Sequence, residues 1–277
     1  MIRFSSLASG SRANATYLSD GETHLLVDCG LSARETTERL AAIGVSPESI
    51  EAIIVTHEHS DHVAGIPIFA KKYGCRVYSN RPTRKGADFD RRLKSELLEE
   101  FETGERFHVG GIAFDPFSVV HDAADPVGFR ISASGVALAF VTDLGQVTTL
   151  VRERVKGVNA LVLEFNHDPI LLQEAPYPWE LKQRISSRTG HLSNECAAEL
   201  VTHLSETCEM PLQVIVAAHV SEKSNEPKRV EQAFTEGWRR GGRDYEPRFY
   251  IASQRTTLPL ISLEQHIPDG EQITINF

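Results

Sequence analysis

Cysteine is scarce in this chain of 277 residues: Cys29, Cys75, Cys196 and Cys208 are scattered, and no two form a CxxC pair. Neither a disulfide framework nor a thiolate zinc site is expected, and the thiols read as buried and inert in apolar or helical surroundings. Long apolar runs are also missing. No stretch approaches the roughly 20 apolar residues that cross a bilayer. Met1-Ile2-Arg3-Phe4 enters strand-like sequence with neither a charged leader nor an apolar signal core, so a soluble, cytoplasmic protein without membrane contact is expected. Positive charge is not in excess either. The formal charge of -9 argues against a surface that coats polyanions generally, although a local basic patch is compatible with it. Low-complexity tracts, Gly/Ser linkers and short-period repeats are lacking, so no boundary is marked and residues 1–277 are expected to form one domain.

What is there is an alternation of strand and helix patterns on a 41% hydrophobic background, enough for one sizeable α/β core. Strand-like runs fall at 2–7, 16–18, 25–28, 53–56, 76–78, 112–120, 127–132, 136–142, 160–165, 212–218 and 249–253. Helices are expected at 32–43, 64–73, 93–100, 147–155, 179–186, 193–204 and 227–240, with Ser32, Ser193 and Asn225 as caps. The mixture suits two sheets covered outside by helices. Two polar, turn-rich excursions, 80–92 and 167–189, carry basic residues and lie where binding determinants tend to sit.

The chemistry is concentrated in His57-Glu58-His59-Ser60-Asp61-His62. These residues follow the buried strand pattern of 51–56 and precede a helix expected to begin near Val63 or Ala64. His57 and His59, two apart, project to the same side of an extended segment, and the turn into the helix swings Asp61 and His62 toward a neighbouring point. A lone histidine is more often structural. Three histidines and an aspartate within six positions at a strand end fit neutral-imidazole and carboxylate ligation of a cation. The spacing is wrong for the helical HExxH zinc motif.

The segment resembles the HxHxDH motif of the metallo-β-lactamase superfamily at all four defining positions. That resemblance implies an α/β (α+β) four-layer αββα sandwich of two mixed sheets. It also implies three later ligands at strand ends, and His121, Asp143 and His219 each follow an apolar run. The carried-over arrangement puts His57, His59 and His121 on one metal, Asp61, His62 and His219 on a second, and Asp143 between them. Two divalent cations so placed activate a bridging water near neutral pH and clamp the electrophile. Asp61 is also expected to orient the nucleophile. Zn²⁺ suits histidine-rich ligation, while Mn²⁺ suits phosphodiester chemistry.

The fold alone does not choose a substrate. Gly190-His191-Leu192-Ser193-Asn194 resembles the GHxS-type element of ribonuclease Z, where the histidine can protonate a departing oxygen, and Glu164 corresponds to its partner. The plainer readings are a helix-terminal residue for His191 and a strand-end carboxylate for Glu164. Almost the whole chain resembles the YycJ-type (also called WalJ-type) bacterial proteins. The carriers are the loop 7–15, Val27-Asp28-Cys29-Gly30, Glu164-Phe165-Asn166-His167-Asp168, Pro176-Tyr177-Pro178-Trp179, Leu181-Lys182-Gln183-Arg184, 190–194 and Ala218-His219-Val220-Ser221. Ala13 departs from the glycine expected in the first loop.

This resemblance implies a phosphodiesterase, a 5′-to-3′ exonuclease on double-stranded DNA, with Lys182 and Arg188 as candidate substrate contacts. Arg81, Arg84, Lys85, Arg91, Arg92 and Arg184 are further phosphate partners, any of which can instead pair with Asp88, Asp90 or Glu180. Tyr177 and Trp179 are placed either to stack a base or to anchor a loop. Two other readings stand beside it: a lactone or thioester hydrolase on the same fold, and a metal-binding regulatory module without catalysis.

Overall fold

The computed structural model describes residues 1–207 and 212–264. The first six strands are β1 (Ile2–Ala8), β2 (Ala15–Ser19), β3 (His24–Val27), β4 (Ala52–Ile54), β5 (Arg76–Ser79) and β6 (Leu98–Glu100). They are followed by β7 (Phe107–Val109), β8 (Ile112–Ser118), β9 (Val127–Ala133), β10 (Val136–Val141), β11 (Ala160–Glu164), β12 (Val214–Ala218) and β13 (Arg248–Ile251). A last strand, β14 (Ile261–Leu263), returns to the first sheet. The strand orders are β14-β1-β2-β3-β4-β5-β6 and β13-β12-β11-β10-β9-β8-β7. Both sheets are mixed: β3 to β6 and β10 to β13 run parallel, and the remaining neighbours pair antiparallel.

Strand side chains alternate between an inner and an outer core, because each sheet is covered on both faces. In β12, Val214 and Val216 enter the layer between the sheets, while Ile215 and Ala217 pack outward under the helices Asn194–Thr207 and Pro227–Arg240. In β4, Ala52 and Ile54 face inward, and Ile53 faces a second outer core with Leu40, Ile66 and Phe69. Burial on both faces makes these strands continuous apolar runs rather than alternating ones. The layers are helix, sheet, sheet, helix.

All eleven strand patterns read from the sequence are present, with ends shifted by a few residues. The short strands β6, β7 and β14 carried too few residues for a pattern. Residues 93–100 are not a helix: a single 3-10 turn at Ser95–Leu97 leads into β6, which pairs with β5. Leu93, Leu97 and Leu98 imitate a helical stripe, but they pack against the outer core beneath the first sheet from a turn and an edge strand. Three short helices, Arg81–Gly86, Phe89–Arg92 and Pro169–Glu174, fill the two excursions.

Ser32 forms a full capping box with Glu35, and the Ser193 hydroxyl accepts from the Cys196 N–H at 3.2 Å. Asn225 does not cap the helix that starts at Pro227. Its side chain instead joins Asn194 to the end of β11, through Nδ2 to Phe165 O at 2.9 Å. Cys29 and Cys75 are buried, whereas Cys196 is exposed, because it lies on the outer side of its helix; Cys208 lies outside the described residues. No described helix is long and apolar enough to cross a membrane.

Candidate metal centre

β4 ends at Ile54, and its parallel neighbour β3 ends at Val27, so Thr56-His57 and Asp28 emerge side by side at one sheet edge. The helix expected near Val63 begins earlier, at Ser60, which puts Asp61 and His62 in the first turn of a short helix, Ser60–Val63. The loop after β3 packs tightly on this corner: a Cβ on Gly30 would lie 1.6 Å from the carbonyl oxygen of Asp61. Only glycine permits that approach.

The second sheet delivers its residues singly. His121 follows β8, Asp143 follows β10 and His219 follows β12. Asp143 and His219 have φ of 57° and 52°, and Asp28 has 59°. These left-handed conformations are strained for residues with a Cβ, by about 1–3 kcal/mol each, and such strain concentrates where surrounding contacts fix a functional side chain.

The fold brings together all seven expected ligands. His57, His59 and His121 offer ring nitrogens within 4.8 Å of one another, and so do the ligand atoms of Asp61, His62 and His219. Asp143 reaches toward both: its carboxylate groups with His57 and His62 within 4.8 Å, its Oδ2 is 3.3 Å from His62 Nε2 and its Oδ1 is 3.2 Å from His219 Nε2. Asp61 Oδ2 is 3.4 Å from His62 Nε2 and 3.6 Å from His219 Nε2.

The outer ring nitrogens are fixed by the protein. His62 Nδ1 lies 2.8 Å from Asp28 Oδ2, His57 Nδ1 3.0 Å from Thr56 Oγ1, and His121 Nδ1 donates to Gly190 O at 2.9 Å. Glu164 Oε1 lies 3.5 Å from His219 Nδ1, on the accepting side, and the Asn166 amide donates to the His219 carbonyl at 2.9 Å. Such outer contacts set which nitrogen faces inward as a ligand.

Electrostatics and unsatisfied atoms both point to a cation. Burial works against a charged ring at His62 and His219. The carboxylates of Asp143 and Asp28 nevertheless raise His62 well above its ordinary value, and Asp143, Asp61 and Glu164 raise His219 to about 9. Burial also opposes ionisation of Asp143, yet His219 and His62 hold it well below the usual carboxylate range. The carboxylate field calls for positive charge where these atoms converge. A divalent cation supplies it while leaving the rings neutral as ligands. Among the described residues, His57 Nε2, His121 Nε2, His219 Nε2 and Asp143 Oδ2 are buried without a hydrogen-bond partner, as expected of atoms whose partner is a metal.

Glu164 and His191 meet beside this cluster. Glu164, fully buried at the end of β11, places Oε1 2.7 Å from His191 Nδ1 and accepts from the Leu144 N–H through Oε2 at 2.8 Å. The His191 ring stacks on His219 with centroids 5.0 Å apart, and its open side lines a hollow of about 190 Å³ with Ser11, Asn166, Tyr177 and Arg184.

The basic candidates are less gathered. Lys182 Nζ donates to Gln173 O, Arg188 Nε donates to Gln146 Oε1 at 3.0 Å, and neither lines that hollow. Arg84 pairs with Asp90 and Arg91 with Asp88. Trp179 is 59% exposed; Tyr177 is half-buried, with Lys223 over its ring at 5.4 Å.

Sequence reading missed several supporting residues. Asp28 binds His62, Asn14 Nδ2 donates to Asp61 Oδ2 at 3.0 Å, and Asp122 Oδ1 lies 3.3 Å from His121 Nε2. Asp28 had a signal: it ends the strand parallel to the one that ends in the motif. Asn14 had only its place in the loop 7–15 that carries the resemblance, and Asp122 its place directly after His121.

Two mixed sheets between helices, with imidazoles and carboxylates converging where both sheets end, make a metal-dependent hydrolase of the metallo-β-lactamase fold. The profile of the β-lactamase superfamily domain matches residues 23–212. Exodeoxyribonuclease WalJ of Streptococcus pneumoniae serotype 2 is 37% identical over 227 residues, 81% of this chain and 83% of its own. Exodeoxyribonuclease YycJ of Bacillus anthracis is 38% identical over 198 residues, 71% of this chain and 75% of its own. The chain belongs to the WalJ/YycJ family of the β-lactamase superfamily. The metallo-β-lactamase fold protein YhfI of Bacillus subtilis superposes with a TM-score of 0.70 at 13% identity, over 93% of this chain and 99% of that one.

Proposed function

We propose that this chain is an exodeoxyribonuclease that degrades double-stranded DNA from the 5′ end, in the cytoplasm, with two divalent cations, Zn²⁺ or Mn²⁺. His57, His59 and His121 hold one cation, Asp61, His62 and His219 the other, and Asp143 both. The observation that carries the reading is the buried Glu164 holding His191 at 2.7 Å beside the ligand cluster. A phosphodiester releases an alkoxide that needs a proton, and a histidine so held is fitted to give one. The kinship with WalJ and YycJ supports DNA as the substrate.

Cations bound by these residues supply Lewis-acid polarisation of the phosphate and activation of the attacking water. Asp61, whose carboxylate Asn14 holds at 3.0 Å, orients that water. As the P–O3′ bond breaks, His191 transfers a proton from its outer nitrogen to the departing O3′, and Glu164 stabilises the ring while it is charged. Buried and bonded to the Leu144 N–H, Glu164 cannot swing away. A lactone or thioester hydrolase has less need of this pair.

The test is digestion of a duplex labelled at one 5′ end, with Mn²⁺, Zn²⁺ or Mg²⁺, beside a thioester panel. The expected result is early release of labelled mononucleotide by the wild type and its loss in H59A and D143A. Turnover of thioesters alone, or equal digestion by the variants, overturns the proposal.

A further inference from the structure

One arginine beside His191 has no part in the chemistry above. Arg184 stands on the helix Trp179–Ile185 and lines the hollow that His191 opens into. Its Nε donates to Asp122 Oδ2 at 2.6 Å, and among the described residues no hydrogen bond or ion pair engages its two terminal amino groups. Asp122 immediately follows His121. Its second oxygen lies 3.3 Å from His121 Nε2 and 3.9 Å from His59 Nε2, so one carboxylate faces both the three-imidazole cluster and the arginine.

The backbone of Arg184 is fixed to the same frame. The His191 N–H donates to Ile185 O at 2.8 Å, the Gly190 carbonyl accepts from His121 Nδ1, and a Cβ on Gly190 would lie 2.1 Å from Arg184 O. Both ends of this side chain are thus set relative to the metal ligands. An exposed ion pair adds little stability by itself, so a tether alone is a weak reason for the arrangement. A guanidinium held through Nε presents its remaining donors as a planar fork, the geometry that matches two oxygens of a phosphate.

We propose that Arg184, aimed by Asp122, grips a phosphate of the departing nucleotide on the His191 side of the scissile bond. The proposal rests on the nuclease reading, in which His191 marks the side where O3′ leaves. The departing nucleotide then lies in the hollow, where Tyr177, Leu181 and Ile185 offer a ring and apolar surface to its base and sugar. Arg184 contacts substrate, and Asp122 is a positioning residue. The arginine thereby takes the part that the sequence suggested for Lys182 and Arg188, whose polar ends the fold directs to Gln173 and Gln146.

The experiment compares metal-loaded wild type, R184A, R184K and D122N on a 5′-phosphorylated duplex over a salt series, with metal content and thermal melting measured for each. A lost charge-assisted contact should raise KM for R184A by about ten- to a hundredfold, with kcat changed far less. The slope of log KM against log salt should become shallower by about 0.7–0.9, one phosphate contact. Inhibition by a deoxynucleoside 5′-monophosphate should weaken, while inhibition by the deoxynucleoside stays. R184K should retain the salt slope with an intermediate KM, and D122N should retain slope and metal content with a raised KM. If the wild type digests DNA while R184A keeps its KM and salt slope, this inference fails alone. A D122N protein that loses metal overturns the aiming role of Asp122. A wild type inactive on DNA overturns the nuclease reading itself.

Discussion

The first sheet delivers His57, His59, Asp61 and His62 from one six-residue corner after β4, whereas the second delivers His121, Asp143 and His219 one at a time, after β8, β10 and β12. Different forces hold the two sets. In the corner, supporting side chains do it: Asp28 on His62, Thr56 on His57 and Asn14 on Asp61. In the scattered set, sheet register and strained backbone do more. Asp143 and His219 sit in left-handed conformations, and the His219 N–H is held by Ser9 Oγ at 2.7 Å. A contiguous set is assembled by local geometry; a distributed set exists only once the strands of its own sheet are paired in register.

Substitutions can break this contrast. The largest effects should come from the ligands themselves: H59A in the corner and D143A in the scattered set should each lower duplex digestion by about a thousandfold, a loss of several kcal/mol of transition-state stabilisation. D143A should also lose more bound metal than H59A by elemental analysis, because its carboxylate groups with His57 of one cluster as well as with His62 and His219 of the other.

H191A should slow duplex digestion by about 10²–10⁴-fold. It should stay near wild-type rate on a p-nitrophenyl phosphodiester, whose departing oxygen needs no proton. An equal loss on both substrates would remove His191 from the role of proton donor.

The supporting groups separate the two sets more finely. D28N should weaken metal binding by about 10–100-fold in a competition titration. S9A should leave metal affinity close to wild type and instead lower stability by about 1–3 kcal/mol in denaturant, the cost of a buried N–H left unpaired. A stability loss in D28N with unchanged metal affinity would erase the distinction.

The same contrast explains what the sequence could reveal. The corner was legible because its ligands are neighbours in the chain, and His121, Asp143 and His219 became legible once each was seen to end an apolar run. Glu164 and His191 were readable through resemblance, and the fold brings them to 2.7 Å. The hold of Asn14 on Asp61 and the aim of Arg184 at Asp122 were not, since these contacts span 47 and 62 residues of chain that no periodicity encodes. At the level of fold, strands buried on both faces announced themselves by unbroken apolar runs. The segment 93–100 misled because three leucines at helical spacing can equally serve a turn and an edge strand, and the available edge of β5 decided the outcome.

The return of β14 to the first sheet has a consequence in time. Ile2 pairs with Leu263, so the outer edge of β1 is covered by nearly the last described residues. During synthesis the N-terminal corner, with four of its seven ligands, emerges long before that edge is closed. An uncovered strand edge invites pairing with other chains, and contacts this distant in sequence slow folding. A nascent chain of this protein therefore carries four of the seven proposed ligands while its first sheet is still open, and a cation captured early would act as a folding partner before it could serve as a cofactor.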